Sequence, residues 1–166
     1  MNEIARETLL AEVRPLLPNT QPLVVEAHLP LRSAAVMASD RQEIDTFAVV
    51  DNRQILVGIL TVDALVDDIL ADLFPEGFLP DVTGLRSLIS SASLFVKHRS
   101  VGEIMDEPYS VTDNDHMGAA IQKMRVKKLR GIPVVDADGK VTAYLDLFDT
   151  LVAWMRSDPN NGDEEV

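Results

Sequence analysis

A chain of 166 residues has room for one domain, or for two small halves sharing a core, and at that length folding buries roughly 70% of the extended surface. Its 46% hydrophobic and 25% charged residues are those of a folded globular protein and exclude a mostly disordered one. Fifteen basic against 27 acidic residues leave a net charge of −12, which repels nucleic acid and anionic membrane surfaces. The absence of cysteine excludes disulfides, thiol catalysis and cysteine-ligated metal centres. His28, His98 and His116 are too widely spaced for a metal-ligand pair and read as surface residues. There is no HExxH, P-loop, GxSxG or GxGxxG segment. The opening MNEIARETLLAEVRPLL is too acidic for a signal peptide, and no run reaches the roughly 18 apolar residues of a membrane span. These features describe an acidic, soluble, cytoplasmic α/β protein with no nucleic-acid or membrane partner.

In chain order, residues 1–14 place Ile4, Leu9, Leu10 and Val13 among charges, predicting a short amphipathic helix stopped by Pro15. Residues 16–21 connect it to an extended run at 23–25. Pro30 opens a helix continued by Leu31, Ala34, Ala35 and Ala38. Residues 47–50 and 55–60 form two strands around an Asp51-Asn52 turn. Thr61 then caps a helix whose stripe is Leu65, Val66, Ile69, Leu70 and Leu73. After a Pro- and Gly-rich loop at 74–84, Thr83 is placed to cap a helix striped by Leu85, Leu88, Ile89, Ala92 and Phe95. That stripe suits either an open face of its own domain or a partner surface. A second series follows: a strand at 110–112, Asp113 as a cap, a helix through Met117, Ala120, Ile121 and Met124, strands at 132–135 and 141–145 around Asp136–Gly139, and a helix at 146–155. Trp154 and Met155 on that helix suit a dimer contact or the core. The acidic tail at 157–166 reads as disordered.

The two series are one pattern repeated. A spacing of 85 residues pairs Val49, Val50 and Asp51 with Val134, Val135 and Asp136, and Thr61 with Asp146. A spacing of 86 pairs Val25 with Val111 and Ala34 with Ala120, so one residue of slippage falls in the helix-to-strand loop. The organisation predicted is an N-terminal helix and connector (1–22), a first repeat (23–73), an inter-repeat loop and helix (74–103), a second repeat (104–156) and the tail. Two such halves bury their sheets by packing pseudo-twofold, sheets inward and helices outward, leaving a cleft for a small ligand.

FAVVDNRQILVGILTVDAL in the first copy and VGEIMDEPYSVTDNDHMGAAIQKMRVKKLRGIPVVDADGKVTAYLDLFDTL in the second resemble a tandem pair of CBS domains, a Bateman module. The resemblance covers residues 24–152 and rests on the GIPVVDADGK core, Met105-Asp106 and the helix spacing. It implies a regulatory, non-catalytic module that binds an adenosine-containing nucleotide or nucleoside, such as AMP, ADP, ATP or S-adenosylmethionine. No cofactor is obligatory, and magnesium is left open. It further implies a homodimer and, with no effector domain read in this sequence, an output through an effector protein elsewhere or through a change of oligomer.

In the family a Gly-apolar-apolar-Thr/Ser-x-x-Asp segment supplies a hydroxyl and a carboxylate to phosphate and ribose. The first copy reads Gly58-Ile-Leu-Thr61-Val-Asp63-Ala64 and keeps the hydroxyl; the aspartate position is Ala64, and Asp63 lies about 100° further round the helix. The second reads Ala143-Tyr-Leu-Asp146-Leu-Phe-Asp149 and keeps the aspartate, with Asp146 at the hydroxyl position. An anion there repels a phosphate, which leaves a ligand without phosphate, a bridging divalent cation, or no ligand. The remaining implied contacts are Thr46, Phe47 and Ala48 in the first copy, and Val111, Gly131, Ile132 and Pro133 in the second, with Phe47 and Ile132 equally readable as core. Lys123, Arg125, Lys127, Lys128 and Arg130 form a basic cluster that favours a helix C-terminus without any ligand; Arg130, beside the strand, is assigned to the site. A ligand-free dimeric adaptor is the alternative function. An enzyme built on Asp146 and Asp149 has no histidine or lysine partner and is not adopted.

Overall fold

The computed structural model describes residues 4–73 and 99–157; the predicted helix at 85–96, the loop before it, His98 and the acidic tail beyond Ser157 lie outside them. Among the described residues, five α-helices and two small sheets make a mixed α/β fold. In chain order these are α1 (Leu10–Val13), β1 (Val24–Glu26), α2 (Leu31–Asp40), β2 (Thr46–Val50), β3 (Leu56–Thr61), α3 (Val62–Leu73), α4 (Met117–Val126), β4 (Gly131–Val135), β5 (Val141–Asp146) and α5 (Leu147–Ser157). They fall into two compact units, Val24–Pro108 and Met1–Leu23 with Tyr109–Val166.

In the first of these, β1 runs parallel to β2, and β2 pairs antiparallel with β3. The other contains the antiparallel β4–β5 pair, with a parallel bridge from Val111 to Val134 in place of the predicted strand at 110–112. The repeat is exact in register. Thr46 faces Thr61 as Gly131 faces Asp146, and a bulge interrupts each ladder at the equivalent Val49/Val50 and Val134/Val135. The hairpin turns match atom for atom: Asp51 Oδ1 accepts the N–H groups of Arg53 and Ile55 at 2.8 and 3.0 Å, and Asp136 Oδ1 those of Asp138 and Lys140 at 2.9 Å each. Both turns pass through the left-handed region, at Gln54 (φ 66°) and at Gly139 (φ 80°).

The N-terminal segment differs from the expected helix over 1–14. Among the described residues of that segment only Leu10–Val13 is α-helical, followed by a 3₁₀ turn at Arg14–Leu16. So short a helix is marginal on its own, and the backbone here is committed elsewhere. The N–H groups of Met117 and Gly118 donate to the carbonyls of Thr8 and Arg6 at 2.9 Å each, and Leu10 N–H donates to the Asp115 carbonyl at 2.9 Å. Tyr144 N–H donates to the Thr20 carbonyl at 2.8 Å. The first repeat has the same arrangement with residues 99–106. Leu31 N–H donates to the Arg99 carbonyl, and Ile59 and Asp106 exchange N–H···O bonds at 3.2 and 2.8 Å. Each repeat is therefore completed by the segment that precedes the other repeat in the chain.

Asp113 does not cap α4. The residue before that helix is His116, and Asp113 instead pairs with Arg14 at 2.8 Å. Leu31, Ile44, Phe47, Leu60 and Leu65 are fully buried in one unit, and Leu10, Met117, Met124, Ile132 and Leu145 in the other.

Candidate ligand-binding site

Each repeat brings the start of one strand, the end of its hairpin partner and the N-terminus of the following helix to one edge. In the first repeat these are Thr46, Thr61 and α3; in the second, Gly131, Asp146 and α5. The junctions are closed alike, Val62 N–H donating to the Asp45 carbonyl at 2.9 Å and Leu147 N–H to the Arg130 carbonyl at 2.8 Å. Asp45 thus occupies the place of Arg130, a correspondence that the 85-residue spacing contains and that composition conceals.

The helix N-termini differ in charge. Thr61 Oγ1 accepts the Ala64 N–H at 3.1 Å, the predicted cap. In the second repeat Asp146 Oδ1 accepts the Asp149 N–H at 2.9 Å, and the Asp146 carbonyl takes the buried Thr150 hydroxyl at 2.6 Å. The positive end of α3 is met by a neutral hydroxyl. That of α5 is met by a full negative charge from the chain itself, on the amides that would otherwise attract an external anion.

Asp146 lines a shallow pocket of about 140 Å³ with Arg130, Leu147, Phe148 and Leu151. Asp149 opens instead into a larger cavity of about 640 Å³, whose other walls include Leu16, Pro18, Phe148, Val152 and Arg156. Burial first, and then the Asp146 charge, raise the Asp149 carboxyl above its ordinary value. Phe148, 71% exposed, borders both spaces.

The other predicted residues divide by exposure. Arg130 and Asp63 are exposed, and Thr61, Asp146 and Asp149 half-buried. Phe47, Ala48 and Ile132 are core residues of at most 1% exposure, and Gly131 and Pro133 are buried with them. Val111 is also buried; its N–H donates to the Pro133 carbonyl at 3.0 Å, and its own carbonyl accepts the Val135 N–H at 2.8 Å. These residues offer backbone and shape. Thr46 is 1% exposed, and its hydroxyl finds no hydrogen-bond partner among the described residues. Sequence reasoning did not single out Tyr144, whose ring lies over Gly131 so closely that a Cβ there would fall 1.9 Å from its hydroxyl. Among the described residues no group of three or more histidine or acidic side chains is placed to hold a metal ion, and no helix is long and apolar enough to cross a membrane.

Comparison with known proteins identifies the family and the fold. The CBS domain matches residues 11–71 and 101–155. A CBS domain-containing protein from Thermotoga maritima is similar over 90% of this chain and 95% of its own, at 23% identity and a TM-score of 0.69. The CBS-pair protein CBSX2 from Arabidopsis thaliana, in complex with AMP, aligns over 89% of this chain and 96% of its own, at 24% identity and a TM-score of 0.60. The CBS domain pair of protein MJ0100, in complex with 5′-methylthioadenosine and S-adenosyl-L-methionine, aligns over 87% and 94%, at 18% identity and a TM-score of 0.59. At these identities the likeness is one of fold. No curated protein sequence matches the chain.

Proposed function

The chain belongs to the CBS-domain family, with two copies in tandem, and on that premise we propose that it is a regulatory module that binds an adenosine-type small molecule and, as a homodimer, passes the bound state to an effector protein. The Asp146 cap on α5 carries the choice of ligand. It fills the anion-seeking end of the helix, so the second repeat favours a ligand that brings no phosphate there: an uncharged nucleoside or a sulfonium-bearing one. Asp149, whose carboxyl is raised above its ordinary value by burial and then by the Asp146 charge, offers an acceptor to ribose hydroxyls from the adjoining cavity, which meets the Asp146 pocket at Phe148. Thr61 leaves the first repeat open to a phosphate. The AMP complex of CBSX2 and the methylthioadenosine and S-adenosylmethionine complex of MJ0100 support this choice of compounds.

The test is a thermal-shift panel of adenosine, 5′-methylthioadenosine, S-adenosylmethionine, AMP, ADP and ATP, with and without magnesium. A ligand at about 100 times its Kd stabilises by about 2.7 kcal/mol, roughly 5–10 °C at this chain length. The nucleosides should shift the wild type more than their phosphorylated counterparts at the second site, and Asp146→Thr should enlarge the response to AMP. The substitution of Ala64 for an aspartate and the charge at Asp146 favour one other reading, a ligand-free adaptor. A panel flat for every compound, on folded protein free of co-purified ligand, selects that reading.

A further inference from the structure

Helix α5 lays one straight stripe along the wall of the cavity of about 640 Å³. Asp149, Val152, Ala153 and Arg156 all line it, at i, i+3, i+4 and i+7, the spacing that brings side chains onto one helix face. The rest of the wall includes Ile4 and Leu16, from the start of the chain. That segment is fastened to the far end of the stripe, where Ile4 N–H donates to Ser157 Oγ at 3.1 Å and the Ser157 hydroxyl donates to the Trp154 carbonyl at 2.8 Å. All of these residues belong to one compact unit.

The stripe is apolar in the middle and charged at its ends. Seven residues of helix separate Asp149 from Arg156, a rise of about 10 Å. Neither side chain has a hydrogen-bond or ion-pair partner among the described residues. The Asp146 carboxylate lies at the Asp149 end, holding the Asp149 N–H at 2.9 Å. The trough therefore has a direction, with two acids at one end, a guanidinium at the other, and Val152 and Ala153 between. A ligand matched to it is dipolar in the same sense: neutral or cationic where it meets the acids, aliphatic along the middle, and anionic at Arg156. A base in the last turn of α5 also offsets the helix dipole. That role accounts for the charge of Arg156 and leaves its place in the cavity wall unexplained.

We propose that Arg156 is the carboxylate-binding end of this cavity, and that the second repeat selects a nucleoside whose 5′ arm carries an amino-acid carboxylate. On the adenosine-type reading above, on which this assignment rests, the ribose hydroxyls meet Asp149. The sulfonium of S-adenosylmethionine then stays near the two acids, its methylene arm runs along Val152 and Ala153, and its carboxylate accepts from the Arg156 guanidinium. A plain nucleoside fills only the Asp149 end.

The test compares S-adenosylmethionine with its decarboxylated form, which keeps the adenosine, sulfonium and amine and lacks only the carboxylate. Calorimetric titration of the wild type should favour the carboxylate-bearing compound about fivefold. Arg156→Gln should remove that difference without weakening the decarboxylated compound, and Arg156→Lys should keep part of it. Ala153→Phe, which sets a ring into the middle of the stripe, should weaken both compounds and spare adenosine. A base that serves only the helix would lower the melting temperature of Arg156→Gln and leave the ratio of the two affinities as it was. That result, or equal affinities in the wild type, overturns the Arg156 subsite while the adenosine reading stands. Failure of both compounds and of adenosine to bind overturns the subsite together with that reading.

Discussion

Asp146 is one substitution with two consequences. As a cap it does for α5 what Thr61 does for α3, so the fold accepts the exchange. As a charge it lies one helical turn from Asp149 and adds to the burial that already raises that carboxyl. A carboxyl raised in the folded state costs nothing below the ordinary aspartate range, costs more as the pH climbs from that range to the raised value, where the unfolded chain ionises and the folded one resists, and keeps its full cost above it. Asp149→Asn should therefore raise the melting temperature at neutral pH, with the gain fading in acid, while abolishing the ligand-induced shift. Melts across the acid-to-neutral range, with and without adenosine, check both halves; a lower neutral melting point in the ligand-free variant contradicts the first. Among the described residues Gln54 and Lys128 are the non-glycine residues with positive φ, at 66° and 56°; Gln54 is the one with a glycine counterpart. At φ 66° it holds the conformation that its counterpart Gly139 adopts at 80°, and an L-residue is strained there by about 1–2 kcal/mol. Part of that is recovered by glycine, whose unfolded chain has more entropy to lose. Gln54→Gly should stabilise by about 0.5–1 kcal/mol, read as a rise in denaturant midpoint at constant slope.

At the scale of elements, the hairpins were the most legible part of the sequence. Each combines a buried apolar strand with an aspartate turn, local signals that need no tertiary partner, and both appear in matched register with matched bulges. Elements whose backbone partners lie far along the chain were less legible. The amphipathic pattern of residues 1–14 suited a helix, but the amides of Leu10 and Ala11 are taken by the carbonyls of Asp115 and Asp113. The strand at 110–112 shrank to one bridge at Val111 for a similar reason, with few residues left to pair. In the candidate site, Asp146 and Asp149 were legible because the repeat aligned them with Thr61 and Ala64. Tyr144 was not, since its meaning lies in the absent side chain of Gly131.

At the scale of the whole molecule, the exchange of leading segments ties the start of the chain to its second repeat. Residues 1–23 belong to the same compact unit as residues 109–166, with Leu10 and Val13 at 0% exposure. Leu10→Ala should cost about 2–5 kcal/mol, as buried leucine truncations do. Its hydrogen-exchange signature should be local: faster exchange at the amides of Met117 and Tyr144, with those of the β2–β3 ladder little changed. Equal loss of protection in both repeats would show that the N-terminal segment supports the two alike.

The sequence by itself determined the repeat, the hairpins and the helix capped by Thr61, because each is written in side chains close together in the chain: alternation, helical spacing, and an aspartate or threonine at a fixed offset. It determined as well that the two ligand-type segments are unlike, since Thr61, Ala64, Asp146 and Asp149 are read directly. Only the tertiary structure decided that the segment before each repeat completes the other, that Asp146 spends its charge on the amides of its own helix, and that Asp149 opens into a different cavity from Asp146. Those outcomes depend on backbone groups that every residue carries alike, and on packing between residues about 100 positions apart, and neither leaves a mark in the order of the amino acids.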